Sequence, residues 1–477
     1  MTLDELIGSG AITSVVHRAS EAGPGALFCA LPGLRADGHD YVAEAASRGA
    51  AAAVGGGGGA PGVAIPQVVV ADARLAMALA AAAVAGHPSD DMVVVGVTGT
   101  NGKTTSAFLL RAVLEAAGHR TGMIGTIEAR VGGQVLPVAH TTPDAVELQA
   151  LFARMRAAGD TACAMEVSSH ALVQRRVAGT RFAAALFTNL TRDHLDYHPD
   201  VESYFAAKRR LFARPAEEGP DPPGTSNLDD EFGARLARET GALGFAVDAP
   251  APVRPRAARG LETGIATTIA TPRGPVEVAS RLRGRFNLAN ITGVVAVGEL
   301  LGLSHEAVAA GIGSVPGVPG RFEAIEEGQP FPVIVDYAHT PDSLDNVLRA
   351  ARELVGGGRL IVVFGCGGDR DRGKRPQMGT VARTLADVAV VTSDNPRTED
   401  PDAIISDIVS GSAGPGELHV EPDRRAAIGW ALSRGERGDV VVIAGKGHEQ
   451  GQERDGVKTP FDDREVARAE LGAETAA

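Results

Sequence analysis

At 477 residues the chain is long enough for about three domains, and 44% hydrophobic residues can give each its own core. A formal charge of −13 argues against a broad electrostatic grip on nucleic acid or anionic lipid, so any anionic ligand has to be held at a local site. Cys29, Cys163 and Cys366 are few, odd in number and far apart, which fits neither a disulfide framework nor a paired zinc motif and points to a reducing compartment.

Residues 1–20 carry early acidic side chains and no unbroken apolar core, so no secretory signal is expected. The glycine run at 55–59 precedes a strand-like stretch at 63–70 and reads as a surface loop. The alanine-rich stretch at 75–85 is too short to span a bilayer, and a cytoplasmic protein without membrane insertion is expected. The first segment closes near His87-Pro88-Ser89-Asp90. Continuous apolar runs then recur at 92–97, 161–165, 183–187, 333–335, 360–364, 388–391 and 440–443, several of them followed by helical stretches. Unbroken rather than alternating hydrophobicity means that both faces are covered, the signature of an α/β fold with parallel sheets. Two Pro-Gly pairs at 315–320 mark a hinge. The expected domains are therefore 1–90, 91–315 and 316–477.

Ligands of such sheets collect beyond the carboxyl ends of the strands, here Thr98, Glu166, Asn189, Asp336, Gly365, Asp394 and Gly445. The strand at 92–97 leads into Thr98-Gly99-Thr100-Asn101-Gly102-Lys103-Thr104-Thr105 and a helical stretch at 106–117. Glycines let backbone N–H groups turn toward a phosphate, the helix start adds a positive dipole end, Lys103 can reach the β- and γ-phosphates, and Thr104 can ligate Mg²⁺. The glycine spacing is shorter than the strict phosphate-loop pattern, but Lys-Thr at a helix entry after a buried strand points to ATP. Glu166 and His194 sit beyond two further strands, where a hard cation on a triphosphate would want ligands. Taken singly, a strand-end Glu more often pairs with an Arg, and a lone His more often fills a polar gap.

Taken together, these motifs resemble the Mur ligases of peptidoglycan synthesis. The resemblance covers the phosphate loop, residues 166–170 and 189–197, 284–290, Pro319-Gly320-Arg321, 336–341, 365–376, Asp394-Asn395-Pro396-Arg397 and 445–449, in family order over about four fifths of the chain. It implies an N-terminal UDP-binding α/β domain, a central phosphate-loop ATPase-type domain with a parallel sheet, and a C-terminal Rossmann-like domain for the incoming amino acid. It also implies the reaction: ATP phosphorylates a carboxylate, an amine attacks the acyl phosphate, and an amide, ADP and phosphate are formed. Lys103, Lys208, His194 and Glu166 are the implied catalytic residues. Thr104, Glu166, His194 and a CO₂-derived carbamate on Lys208 are the implied Mg²⁺ ligands. Gly99, Thr100, Asn101, Gly102, Lys103, Thr104, Thr105, Asn287, Asn290, Arg321, Asp336 and His339 are the implied ATP contacts, although Asn290 could cap a helix and His339-Thr340-Pro341 could simply begin one.

The diaminopimelate-adding members resemble this chain at Asp394-Asn395-Pro396-Arg397. A guanidinium fork can engage the second carboxylate of meso-diaminopimelate, whereas it would repel the ammonium end of lysine. By the same carry-over Arg370, Gly445 and Glu449 line this pocket. For the acceptor, UDP-MurNAc-L-Ala-D-Glu, the implied positions are Leu34, Arg35 and Ala36, then Thr141, Thr142, Ser168, Gln174 and Arg176. Two departures put single uridine contacts in doubt: Arg18-Ala19-Ser20 replaces the usual Asp-Ser-Arg, and His140 stands where Asn is common. The competing readings are a lysine-adding or other ligase of the superfamily, and a phosphate-loop ATPase that switches a binding surface. A monomer whose C-terminal domain closes over the ATP domain is expected.

Overall fold

The seven apolar runs become seven strands in the computed structural model, which describes residues 2–33, 36–57, 59–259 and 264–475, with side chains omitted at 257–259 and 473–475. An N-terminal sheet holds β1 (Ser14–Val16), β2 (Ala26–Ala30), β3 (Ala52–Gly55) and β4 (Gln67–Val69), in that order and all parallel. The expected strand at 63–70 shrinks to Gln67–Val69, because a turn with Gly62 at φ 80° delays its start. Gly55 closes β3 instead of opening a loop; the chain leaves the sheet after it, and Gly58 lies outside the described residues.

The central sheet contains β5 (Val93–Thr98), β6 (Thr121–Ile124), β7 (Ala129–Val131), β8 (Gln134–Leu136), β9 (Ala162–Glu166), β10 (Ala184–Phe187), β11 (Gly224–Asn227) and β12 (Leu243–Phe245). Its order is β12-β11-β10-β5-β9-β6-β7-β8. The first six are parallel, but β6-β7-β8 run antiparallel, so the sheet is mixed at one edge. The short β7-β8 connection through Gly132 and Gly133 allows this, since a tight turn joins only antiparallel neighbours. A separate antiparallel meander of β13 (Arg254–Arg259), β14 (Ile265–Thr271) and β15 (Gly274–Ser280) packs beside the helix His305–Ser314; its alternating burial is a period-two pattern that the search for continuous runs passes over.

The C-terminal sheet runs β16-β17-β21-β18-β19-β20, where β16 is Glu323–Ile325, β17 Val333–Asp336, β18 Leu360–Phe364, β19 Val388–Val391, β20 Glu417–Val420 and β21 Val440–Ala444. All neighbours are parallel except β16-β17. A hairpin, β22 (Gln452–Arg454) and β23 (Val457–Thr459), follows. Strands β17, β18, β19 and β21 are buried throughout, which is why their sequence shows no alternation. In the Pro-Gly segment, Val315 and Val318 pack into the core of the central unit, and Val318 pairs with Arg321 across a turn. Among the described residues no helix is long and apolar enough to cross a membrane.

Candidate active site

The loop after β5 turns directly into the helix Lys103–Ala116. Gly102 makes the turn possible: it sits at φ 86°, and a Cβ there would lie 2.3 Å from Asn290 Oδ1. The loop is clamped from the neighbouring strand end. Asn101 N–H donates to Asn189 Oδ1 at 2.9 Å, Asn189 Nδ2 returns a bond to Asn101 O at 3.2 Å, and Thr188 Oγ1 donates to the same carbonyl at 2.6 Å. Two amines converge on one carbonyl: Lys103 Nζ lies 3.0 Å and Lys208 Nζ 2.7 Å from Gly99 O. Burial lowers the pKa of Lys103, although Glu166 and Asp193 oppose the shift. Lys208 is pushed well below its ordinary value by burial and then by Lys103. Its helix, Val201–Arg209, begins where Asp200 and Ser203 form a capping box.

Glu166, at the end of β9, is buried and accepts from Thr104 Oγ1 (3.1 Å), Thr126 N–H (2.8 Å) and Thr126 Oγ1 (3.0 Å). His194 lies on the same cavity wall; burial pulls its pKa down to about 4, so its imidazole is neutral and has a lone pair to offer. Carboxylate, hydroxyl and neutral imidazole are donors that a hard cation accepts when phosphate oxygens complete the shell. Among the described residues no group of three or more His, Cys, Asp or Glu side chains gathers tightly enough to hold a metal alone.

Across the gap, the C-terminal unit supplies the second wall of a cavity of about 440 Å³. Arg321 Nη2 reaches Thr104 Oγ1 at 3.3 Å and stacks its guanidinium over Tyr337 at 4.4 Å. Asp342 Oδ2 accepts from Asn101 Nδ2 at 2.8 Å and Thr191 Oγ1 at 3.2 Å. His339 Nδ1 lies 2.8 Å from Tyr337 O, while Thr340 caps the helix Pro341–Arg352 in a capping box with Ser343, so this motif does begin a helix. Asn290 is inside the helix Arg285–Leu300, on the cavity wall; Asn287 stands behind it and accepts its Nδ2 at 3.2 Å.

Asp336 accepts from Phe322 N–H and Ala338 N–H at 2.7 Å each, yet burial raises its carboxyl to about 6 against the pull of Arg321. A raised carboxyl makes the folded state the better proton binder, so its contribution to stability is complete below pH 3.8 and is lost as pH rises through about 6. The Asp336→Asn variant, which does not titrate, should gain about 2 kcal/mol relative to the parent between pH 4 and pH 8. Denaturant unfolding of both proteins across this range checks it; a constant difference would contradict the raised carboxyl.

The residues expected at the acceptor form one network. Thr142 Oγ1 donates to Glu166 O at 2.9 Å and accepts Ser168 N–H at 3.0 Å. Arg176 Nη1 donates to Thr142 O at 2.7 Å and its Nη2 to Gln174 Oε1 at 2.9 Å. Thr141 Oγ1 lies 3.1 Å from Thr126 Oγ1, which joins this network to the Glu166 cradle. Leu34 and Arg35 lie outside the described residues; Ala36 O accepts Gly33 N–H at 3.1 Å.

In the C-terminal unit, Asn395 is the centre of a second network. Its Nδ2 donates to Glu449 Oε2 at 2.9 Å, and its Oδ1 accepts from Lys446 Nζ at 2.9 Å and Glu453 N–H at 3.0 Å. Lys446, completely buried, also pairs with Asp394 and Glu449 at 3.5 Å each. Burial alone would raise Asp394, but Lys446, Arg424, His339 and Lys374 outweigh it and hold the carboxyl below its ordinary value. A Cβ on Gly445 would lie 2.7 Å from Asp394 Oδ2. Pro396 is buried beside Arg397, whose Nη1 donates to Gly368 O at 2.7 Å; Arg370 is exposed next to it.

Asp193, Tyr337, Asp342, Lys446 and His448 were not singled out by sequence. Burial tends to raise Asp193, but His194, His339 and Lys374 hold it below its ordinary value on the cavity wall. His448 Nδ1 lies 3.2 Å from Arg321 Nη1. Lys446 and His448 stand within a motif already noted, so their position was legible, whereas Asp342 reads as an ordinary acidic residue in a first helical turn.

Comparison with known proteins bears on this arrangement. Residues 11–94 match the pattern described as Mur ligase family, catalytic domain, residues 97–298 the Mur ligase middle domain, and residues 320–447 the Mur ligase, glutamate ligase domain. The chain is 45% identical to a UDP-N-acetylmuramoyl-L-alanyl-D-glutamate–2,6-diaminopimelate ligase of Streptomyces coelicolor, covering 97% of this chain and 92% of that one. It is 48% identical to the ligase of the same name from Gloeobacter violaceus, covering 94% and 91%. A solved structure carrying that name superposes with a TM-score of 0.69 at 32% identity, over 97% of this chain and 95% of the other. Matches that span the N-terminal, central and C-terminal sheets at this identity leave one conclusion: the chain belongs to the Mur ligase family.

Proposed function

We propose that this chain is an ATP-dependent ligase that joins meso-diaminopimelate to the D-Glu carboxylate of UDP-MurNAc-L-Ala-D-Glu through an acyl phosphate, in peptidoglycan precursor synthesis. The observation that carries this reading is one cavity walled by Lys103 and Glu166 on one side and Arg321, Asp336 and His339 on the other, with Ser168 of the Thr142-Arg176 network on its lining and the Asn395-Arg397 network in the same C-terminal unit. In this reading residues 1–90 hold the nucleotide sugar, 91–315 the ATP, and 316–477 the amino acid. In this reading the protein works as a cytoplasmic monomer.

Both reactants are anionic, and Lys103, Arg321 and the loop N–H groups neutralise charge that builds on the transferring phosphoryl group. Thr104, Glu166, His194 and a carbamate on Lys208 would hold Mg²⁺, which supplies Lewis-acid neutralisation of the phosphate oxygens when bound. Arg176 positions the acceptor, and Glu449 takes an ammonium group of the diamino acid.

The test is phosphate release from ATP and UDP-MurNAc-L-Ala-D-Glu, with meso-diaminopimelate or L-lysine added in turn. Release should require the acceptor and meso-diaminopimelate together. Release that needs neither would mark an ATPase switch instead, and release with lysine alone would reassign the amino acid.

A further inference from the structure

The loops that carry Arg370 and Arg397 leave the ends of β18 and β19, and each contains a residue in left-handed backbone, Asp369 and Arg397, both at φ 54°. L residues avoid this region unless their surroundings over-determine it. Beneath both loops lies Arg375, with no exposed side-chain surface, in the first turn of the helix Lys374–Leu385. Its Nη1 donates to Glu399 Oε2 (3.0 Å) and Asp407 Oδ2 (2.9 Å), and its Nη2 to Glu399 Oε1 (2.8 Å) and Gly367 O (3.4 Å). Glu399 Oε1 also accepts Asp369 N–H at 2.7 Å, and the Asp369 carboxylate accepts Thr398 Oγ1 at 2.8 Å. The guanidinium thus grips one loop through Gly367 and the other through Glu399, which itself holds Asp369 of the first.

Contact between the loops is close. Gly368 N–H donates to Asn395 O at 2.9 Å, and a Cβ on Gly368 would lie 1.9 Å from Pro396 O. A Cβ on Gly367 would lie 2.9 Å from Arg397 Nη1 and 3.9 Å from Arg370 Cγ, so the spacing of the two loops is also the spacing of the two arginines. Were packing the only need, an apolar residue would fill the place of Arg375 without the desolvation cost of a buried guanidinium.

We propose that Arg375 and Glu399 are a positioning pair for amino-acid selectivity: they touch no substrate, but they fix Arg397 relative to Arg370 and so set the preference for a diamino acid with a second carboxylate. This rests on the amino-acid pocket proposed above. Arg375→Lys keeps the charge and loses the fork, and Glu399→Gln keeps the size and loses the charge. Each should raise KM for meso-diaminopimelate about tenfold, leave KM for ATP within about twofold, and shrink the preference over L-lysine about tenfold. Combined with Arg397→Ala, Arg375→Lys should add little further loss, because both act through one group.

An unchanged preference, equal losses for ATP and diamino acid, or full additivity with Arg397→Ala would overturn the proposal. Should Arg375→Lys show no cooperative thermal transition, Glu399→Gln decides by the same readouts. A parent protein that turns over without any diamino acid would instead overturn the functional reading on which the pair depends.

Discussion

Replacing Lys208 with alanine is expected to lower turnover by roughly 10²- to 10³-fold while leaving the fold intact. The amine is buried on the helix Val201–Arg209, 2.7 Å from Gly99 O and 4.5 Å from the centre of the Tyr204 ring. A charged ammonium there would face the desolvation penalty and the repulsion of Lys103, which is why its pKa lies well below that of an ordinary lysine. A neutral amine can add CO₂ with loss of a proton, and a carbamate there would be an anion on the wall of the cavity that Lys103 and Glu166 also line, where a hard cation would reward it. Turnover of the parent protein should therefore fall after CO₂ is stripped from the buffer and return on adding bicarbonate, whereas the alanine variant should not respond. An alanine variant with normal turnover would remove Lys208 from the chemistry.

Arg397→Ala should raise KM for meso-diaminopimelate by on the order of 10²-fold, with KM for ATP nearly unchanged. The backbone of Arg397 is held by the hairpin β22-β23: its N–H donates to Glu453 O at 3.0 Å, and its own carbonyl accepts Asp455 N–H at 2.7 Å. The guanidinium is half-buried, bonded to Gly368 O and 3.5 Å from Glu453, so it is oriented before any ligand arrives. Pre-orientation converts a two-bond charged contact into affinity because little freedom is lost on binding, and alanine removes both bonds at once. Initial-rate kinetics with each substrate varied in turn would show the split; equal increases for ATP and the diamino acid would count against the assignment.

How much of this was legible in the sequence depended on the range of the signal. A buried strand such as Leu360–Phe364 shows itself in five consecutive residues, and the loop from Thr98 to Thr105 carries its chemistry within a single turn. The edge strands β7 and β8 are three residues each, and β14 and β15 of the meander bury only alternate side chains, so neither presents a continuous apolar run in the sequence. The strand at 63–70 was overextended for the opposite reason: apolar residues continued past the point where Gly62 and its turn prevent pairing.

By itself the sequence determined the class of fold, the strand ends at which ligands gather, and the short motifs from Gly99 to Glu449, since each of these depends on residues adjacent in the chain. Only the tertiary structure decided that Lys208 and Lys103 share one carbonyl, that Asp342 closes on Asn101 from 241 residues away, and that Arg375 ties two loops together from below. Those relations arise where the ends of different parallel strands come side by side, and sequence distance carries no information about that proximity.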